Sequence, residues 1–282
     1  MIQSFLLIGQ SNMAGRGFIH DVPPIINERI QMLRNGRWQM MTEPIHYDRP
    51  VAGISLAGSF ADAWCRKNQE DMIGFIPCAE GGSTLDEWAP DQTLFQHAIM
   101  EAKFAMQTSK LTGILWHQGE SDSMNGNYKV YYNKLLSIMD AFRKELNAPD
   151  IPLIIGGLGD FLGKDGFGKG CTEYTFINQQ LQKFALEQDN CFFVTAAGLT
   201  SNPDGIHMDA ISQRKFGFRY FEAFSNKQHV MEPLTNEDEL LNLISSRTYS
   251  KAEMIYMKIM DLSLGKISYE EFQLQLVQIN KE

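Results

Sequence analysis

The chain has 282 residues, 44% hydrophobic and 21% charged, with 25 basic residues against 34 acidic ones and a formal net charge of −9. That composition excludes a disordered chain and is enough for one large domain, with or without an appendage. The acidic balance argues against a nucleic-acid or anionic-membrane partner, since both favour clustered Lys and Arg.

No apolar run reaches the roughly 20 residues of a membrane span. Met1 leads directly into apolar sequence with no basic leader, so no signal peptide is visible. Cys65, Cys78, Cys171 and Cys191 are widely spaced with no CxxC pair. Buried, reduced thiols in a cytoplasmic protein are the expectation.

In chain order, the apolar run Ser4–Ile8 reads as a buried strand, and "GQSN" after it as a tight turn into a helix. Arg16–Ser55 breaks the rhythm and reads as a loop-rich insertion with a hairpin around "RNGRWQ". Leu56–Lys67 carries Phe60, Ala63 and Trp64 at helical spacing. "MIGFIPC" at Met72–Cys78 is a second strand, Leu94–Met106 a helix and Thr112–Trp116 a third strand. Tyr131, Leu135, Ile138, Phe142 and Leu146 mark one face of a long helix. Ile151–Ile155 is a fourth strand, Phe176–Gln188 a helix, Cys191–Thr195 a fifth strand and Ala210–Phe224 a further helix. Five short apolar strands separated by helices predict a parallel sheet covered on both faces.

After Pro233, three helices are predicted over Thr235–Arg247, Ser250–Leu264 and Ser268–Ile279. Ser250/Glu253 and Ser268/Glu271 have capping-box spacing, and Gly265 suits a helix end. The middle helix is apolar almost all round, from Met254 to Leu262, and calls for burial on more than one side. The expected organisation is a main domain over 1–230 and a helical appendage over 231–282 that mediates homo-oligomer assembly.

Ligands in such a sheet bind beyond the carboxyl ends of the strands. Those positions hold Ser11 in "GQSN", Gly81 and Gly82 in "AEGGSTLDEW", Gln118 and Glu120 in "HQGESD", and Asp204 and His207 in "SNPDGIHMD". These are the parts needed for acyl transfer. A serine hydroxyl attacks only when a base takes its proton, which neutral imidazole does near pH 7. The imidazole needs a carboxylate on its other nitrogen, and Asp204 stands three residues before His207. The oxyanion needs N–H donors: the backbone N–H of Ser11, an N–H of Gly81 or Gly82, and the amide of Gln118 are the options. Glu120 reads as a brace for its loop through backbone N–H groups, and Trp88 and Trp116 as packing residues rather than sugar platforms.

The segments "GQSNMAGRG", "EGGSTLDEW", "WHQGESD" and "DGIHMD" stand in order over residues 1–225 and resemble the SGNH hydrolases. The branch they resemble contains acetylxylan esterases and sialate O-acetylesterase-like enzymes. The resemblance implies a flavodoxin-like three-layer α/β/α sandwich, with Ser11 as nucleophile, His207 as base and Asp204 as its orienter. The asparagine that gives the superfamily its third letter is not obvious, and Gln118 stands in that role. Met13 occupies the place of the second glycine of a GxSxG elbow, so the α/β-hydrolase pattern is not met.

Three other motifs fail. "GKDGFGKG" (Gly163–Gly170) imitates a phosphate loop but has Gly170 where Ser or Thr is required, and reads as a mobile loop near the site. "GKISYEEF" copies half an EF-hand, yet Met260, Leu262 and Leu264 occupy the ligand positions before it. The histidines form no HExxH cluster, so no metal or other cofactor is expected. The predicted function is a serine esterase that removes small acyl groups, with O-acetyl on a carbohydrate implied by the resemblance. A lipid or thioester acyl group is the nearest alternative substrate, and a carbohydrate-binding module with inactive parts is the alternative of a different class.

Overall fold

A computed structural model describes residues 1–281. Its sheet is built on β1 (Ile2–Gly9), β4 (Met72–Pro77), β5 (Ser109–His117), β6 (Leu153–Gly156) and β7 (Cys191–Val194). These are the five predicted strands, and they lie side by side, all parallel, in the order β4-β1-β5-β6-β7. Counted among themselves that is second-first-third-fourth-fifth, the flavodoxin-like order, whose switch point falls beside β1.

The sheet has seven strands rather than the five expected. The hairpin around "RNGRWQ" forms β2 (Ile30–Arg34) and β3 (Arg37–Met40), turning through Asn35 and Gly36 at positive φ. Instead of standing free, β2 pairs parallel to β4, with Ile30 opposite Ile73 and Met32 opposite Phe75. Strand β3 is the antiparallel edge, so the sheet is mixed.

Strand side chains alternate between two cores. Phe5 and Leu7 of β1, Phe75 of β4 and Ile154 of β6 share one face with Phe60 and Trp64 of α2 (Ala57–Lys67) and Phe216 and Tyr220 of α6 (Ala210–Asn226). Leu6 and Ile8, Ile76 and Ile155 meet α3 (Thr93–Ala105), α4 (Tyr128–Glu145) and α5 (Tyr174–Glu187) on the other. The result is three layers, α/β/α. A short helix α1 (Ser11–Ala14) follows β1 directly.

Three more helices follow: α7 (Glu237–Ser245), α8 (Lys251–Ser263) and α9 (Tyr269–Lys281). Helix α7 joins the main core through Ile244 and through Glu237, which pairs with Arg219 at 2.5 Å, both buried. The Ser250/Glu253 and Ser268/Glu271 capping boxes both form. Helix α8 is half-buried rather than enclosed: Met254, Ile255, Tyr256 and Met257 are each partly covered, the helix packs on α9, and Ile259 is 48% exposed. Its tie to the body is Glu253, which accepts from Arg247 at 2.6 Å and from the Glu28 N–H at 3.1 Å. Among the described residues no helix is long and apolar enough to cross a membrane.

Candidate active site

The run "FLLIG" ends in glycine because Gly9 lies against the His117 carbonyl of β5, where any Cβ would collide with it. Gly9 takes φ +130° there, and the Gln10 N–H reaches the same carbonyl at 2.9 Å. The chain then starts α1 with Ser11 as its first residue, 4% exposed, at the carboxyl end of the central strand. In a first helical turn the Ser11 N–H has no intrahelical acceptor. Among the described residues no hydrogen bond occupies the Ser11 hydroxyl.

The loop after β7 brings in His207 and Asp204. His207 Nδ1 lies 2.7 Å from Asp204 Oδ2. The other oxygen, Asp204 Oδ1, accepts the N–H groups of Ile206 and His207, each at 3.0 Å. Burial alone would raise the Asp204 carboxyl, but those two N–H bonds and the His207 ring outweigh it and hold the group below its ordinary range. An ionised carboxylate at this distance favours a ring that carries its proton on Nδ1. Ser11 and His207 are joined through Asn12. Its side chain donates to the Ile206 carbonyl at 3.1 Å and accepts the Met208 N–H at 2.8 Å, on either side of His207.

The "GKDGFGKG" loop packs on this turn. The Phe167 N–H donates to the Asp204 carbonyl at 2.7 Å, while Gly166 and Gly168 lie so close to Asp204 and Gly205 that neither has room for a Cβ. Phe167 is 80% exposed beside the histidine loop.

The two glycines are distinguishable. The Gly81 N–H is engaged, donating to Asp48 Oδ2 at 2.9 Å, and Asp48 is itself paired with buried Arg16. Gly82 has φ +80°, open space beside it, and an N–H without an acceptor among the described residues. Of the two, only Gly82 has a backbone N–H without an acceptor among the described residues.

Gln118 departs from its expected role. One N–H goes to the Ser83 carbonyl at 3.1 Å and the other to Asp122 Oδ2 at 2.6 Å, while its oxygen accepts from Tyr131 at 3.0 Å. Gln118 is fully buried, so no N–H is left for an oxyanion. Burial pushes the Asp122 carboxyl up, against the Gln118 amide and the Leu85 N–H, which favour its charge. Gln118→Ala should therefore lower the unfolding free energy by about 2 kcal/mol or more, with activity falling in step with the folded fraction. A drop of about 10²–10³-fold in kcat at unchanged stability would restore it to the oxyanion hole.

Glu120 braces a side chain rather than backbone N–H groups: its Oε1 accepts Asn12 Nδ2 at 2.5 Å. Trp88 and Trp116 are both fully buried and pack edge to face at 5.7 Å. Sequence reasoning singles out none of Asn12, Arg16 and Asp48: the first two lie within "GQSNMAGRG", and Asp48 lies in the loop-rich insertion. Among the described residues no group of three or more His, Cys, Asp or Glu side chains is placed to hold a metal ion.

His46 stands in the same insertion, 3% exposed. Burial pushes its imidazole down to about 4, with Asp48 opposing and Arg16 adding to the shift. The unfolded ring binds its proton near the ordinary 6.5, so between 6.5 and 4 the unfolded chain holds more protons. Stability is lost as pH falls through that window, by about 3 kcal/mol in full. Urea unfolding at pH 7 and at mildly acidic pH should show a steeper loss for the wild type than for His46→Leu; equal losses would contradict this.

A parallel flavodoxin-like core with a serine, a glycine loop and an Asp-x-x-His at its carboxyl edge is an SGNH-like hydrolase fold. The family model for "Carbohydrate esterase, sialic acid-specific acetylesterase" matches residues 1–226, and the chain belongs to that family of carboxylic ester hydrolases. Among its relatives is the probable carbohydrate esterase At4g34215 of Arabidopsis thaliana, 28% identical over 247 residues, covering 79% of this chain and 90% of that one. The solved structure of At4g34215 superposes with a TM-score of 0.72 at 25% identity, over 79% of this chain and 98% of that one. The crystal structure of NanS shares the fold, with a TM-score of 0.66 at 17% identity over 80% of this chain and 97% of that one. So does XAC1771, a carbohydrate acetylesterase from Xanthomonas citri, with a TM-score of 0.58 at 16% identity over 78% and 55% of the two chains.

Proposed function

We propose that this carbohydrate esterase removes O-acetyl groups from a small carbohydrate through a Ser11–His207–Asp204 triad and an acetyl-enzyme intermediate. The observation that carries the reading is the 2.7 Å contact between His207 Nδ1 and Asp204, on a loop tied to the residue next to Ser11. Ser11 Oγ attacks the acetyl carbonyl while His207 Nε2 takes its proton. The oxyanion is met by the N–H groups of Ser11 and Gly82. Collapse expels the sugar oxygen, which takes the proton back from His207. Water, activated by the same ring, then releases acetate and frees Ser11.

Acetate as the acyl group and a sugar as the alcohol rest on the family and on relatives described as carbohydrate esterases. A panel decides between substrates: p-nitrophenyl esters of increasing chain length, then acetylated mono- and oligosaccharides. Activity should be highest on acetyl esters and present on acetylated sugars. A preference for long acyl chains or thioesters would favour the lipid reading. Four buried free thiols support a reducing, cytoplasmic setting.

We also propose that the hairpin of α8 and α9 pairs with a second copy of the chain. Ile259, Leu264, Tyr269, Leu274 and Val277 are 48–72% exposed on it, and clustered exposed apolar side chains mark interaction surfaces. The homologous segment ends at residue 226, so this hairpin is additional to the esterase module. Light scattering should give a closed oligomer for the full chain. Ending the chain after Thr248 should remove the oligomer and keep esterase activity per folded molecule. A full-length monomer at micromolar concentration would refute the pairing.

A further inference from the structure

We propose that Asn12 is a positioning residue for His207, with Glu120 reinforcing which way its amide faces. The inference rests on the reading of His207 as the base for Ser11. Asp204 settles the rotation of the imidazole ring, but something else must set where the backbone carrying that ring stands relative to α1. Asn12 is 1% exposed, and every polar atom of its side chain is engaged. Nδ2 gives one hydrogen to Glu120 Oε1 at 2.5 Å and the other to the Ile206 carbonyl at 3.1 Å. Oδ1 accepts the Met208 N–H at 2.8 Å. The Asn12 carbonyl accepts from Gln213 Nε2 at 3.0 Å, which ties the same residue to α6. Any displacement of Asn12 therefore moves both neighbours of His207, and Ser11 is covalently attached to the residue that holds them.

Glu120 reinforces the orientation that the Ile206 carbonyl and the Met208 N–H also require. An Asn amide can turn by half a rotation and exchange its donor and acceptor ends. A carboxylate oxygen accepts, so it draws Nδ2 toward itself and leaves Oδ1 to meet the Met208 N–H. Glu120 is 1% exposed, its Oε2 has no partner, and His117 Nδ1 stands 3.7 Å from Oε1, beyond hydrogen-bond reach. Burying a carboxyl with one oxygen unsatisfied is costly, and its one side-chain hydrogen bond among the described residues is to Asn12.

The test is a polarity swap. Asn12→Asp sets two carboxyl groups against each other and should cut kcat about 10²-fold or more with KM within about threefold, since small misplacement of a base costs that much. Adding Glu120→Gln restores a donor facing an acceptor across the same contact and should recover at least about tenfold in kcat, although the Ile206 carbonyl stays without its donor. A residue that serves packing alone would show no such rescue. If Asn12→Asp does not fold, Asn12→Ser, which fits the space but reaches neither partner, carries the kcat measurement. An Asn12 variant within about threefold of wild-type kcat, or a double variant no faster than Asn12→Asp, overturns the inference. Ser11→Ala and His207→Ala made alongside separate the two failures. If those variants keep their activity the triad reading falls; if they lose it while the Asn12 series does not, the positioning role alone falls.

Discussion

Ser11→Ala should fold like the wild type and lose about 10⁴-fold or more in kcat, the scale of triad knockouts. The fold survives because no hydrogen bond among the described residues depends on the hydroxyl. The bonds that define this corner belong to Gln10 and Asn12, whose side chains reach Gly119 and Glu120 respectively. The rate falls because Ser11 is the proposed nucleophile and, among the described residues, the hydroxyls of Ser83 and Ser121 are already engaged. Ser83 is occupied by Trp88 and the Glu80 carbonyl, and Ser121 donates to the Gly82 carbonyl. The KM should move little, since the substitution deletes only a single oxygen. Kinetics on an acetyl ester together with thermal melting check it; near-normal turnover in Ser11→Ala would mean a different nucleophile.

His207→Ala should be nearly as damaging, while Asp204→Asn should cost about 10²–10⁴-fold. The histidine loop keeps its path in both variants, because Asn12 holds it through backbone atoms of Ile206 and Met208. In Asp204→Asn the amide oxygen can still accept the Ile206 and His207 N–H groups, which leaves the amide NH₂ facing His207 Nδ1. The ring must then accept at Nδ1 and carry its proton on Nε2, the tautomer that cannot act as base. The pH profile follows from the carboxylate. Asp204 is held below the ordinary range, so it stays charged as the solution becomes mildly acidic. Mild acidification therefore leaves the Asp204 charge in place, and stability carried by the Asp204 bonds is lost only at lower pH, as its carboxyl is titrated. A rate independent of pH from the acid to the alkaline side, with chemistry limiting, would count against a histidine base.

The features legible in sequence were the local ones. Runs such as "FLLIG" and "CFFVT" are apolar on both faces because both faces of their strands are covered, and Asp204 and His207 are close enough in sequence for one turn to join them. The hairpin was visible from Asn35-Gly36, but its incorporation into the sheet depends on pairing Ile30 with Ile73, which no local pattern encodes. The Gly81 N–H is engaged by Asp48, which comes from the loop-rich insertion, a contact no local pattern around the glycines encodes. Gln118 reads as a free amide in sequence because its partners Ser83, Asp122 and Tyr131 come from other elements. Asn12 was inside the quoted motif all along, yet its partners lie 108, 194 and 196 residues away.

The most direct test of the account is to trap the intermediate. The wild-type enzyme, mixed with excess p-nitrophenyl acetate and acid-quenched within the first turnovers, is digested and examined by mass spectrometry. The account predicts a single acetyl group on the peptide carrying Ser11, absent from Ser11→Ala, and the same serine labelled by a serine-directed phosphonate. Acetylation or phosphonylation at another residue, with turnover persisting in Ser11→Ala, would contradict it.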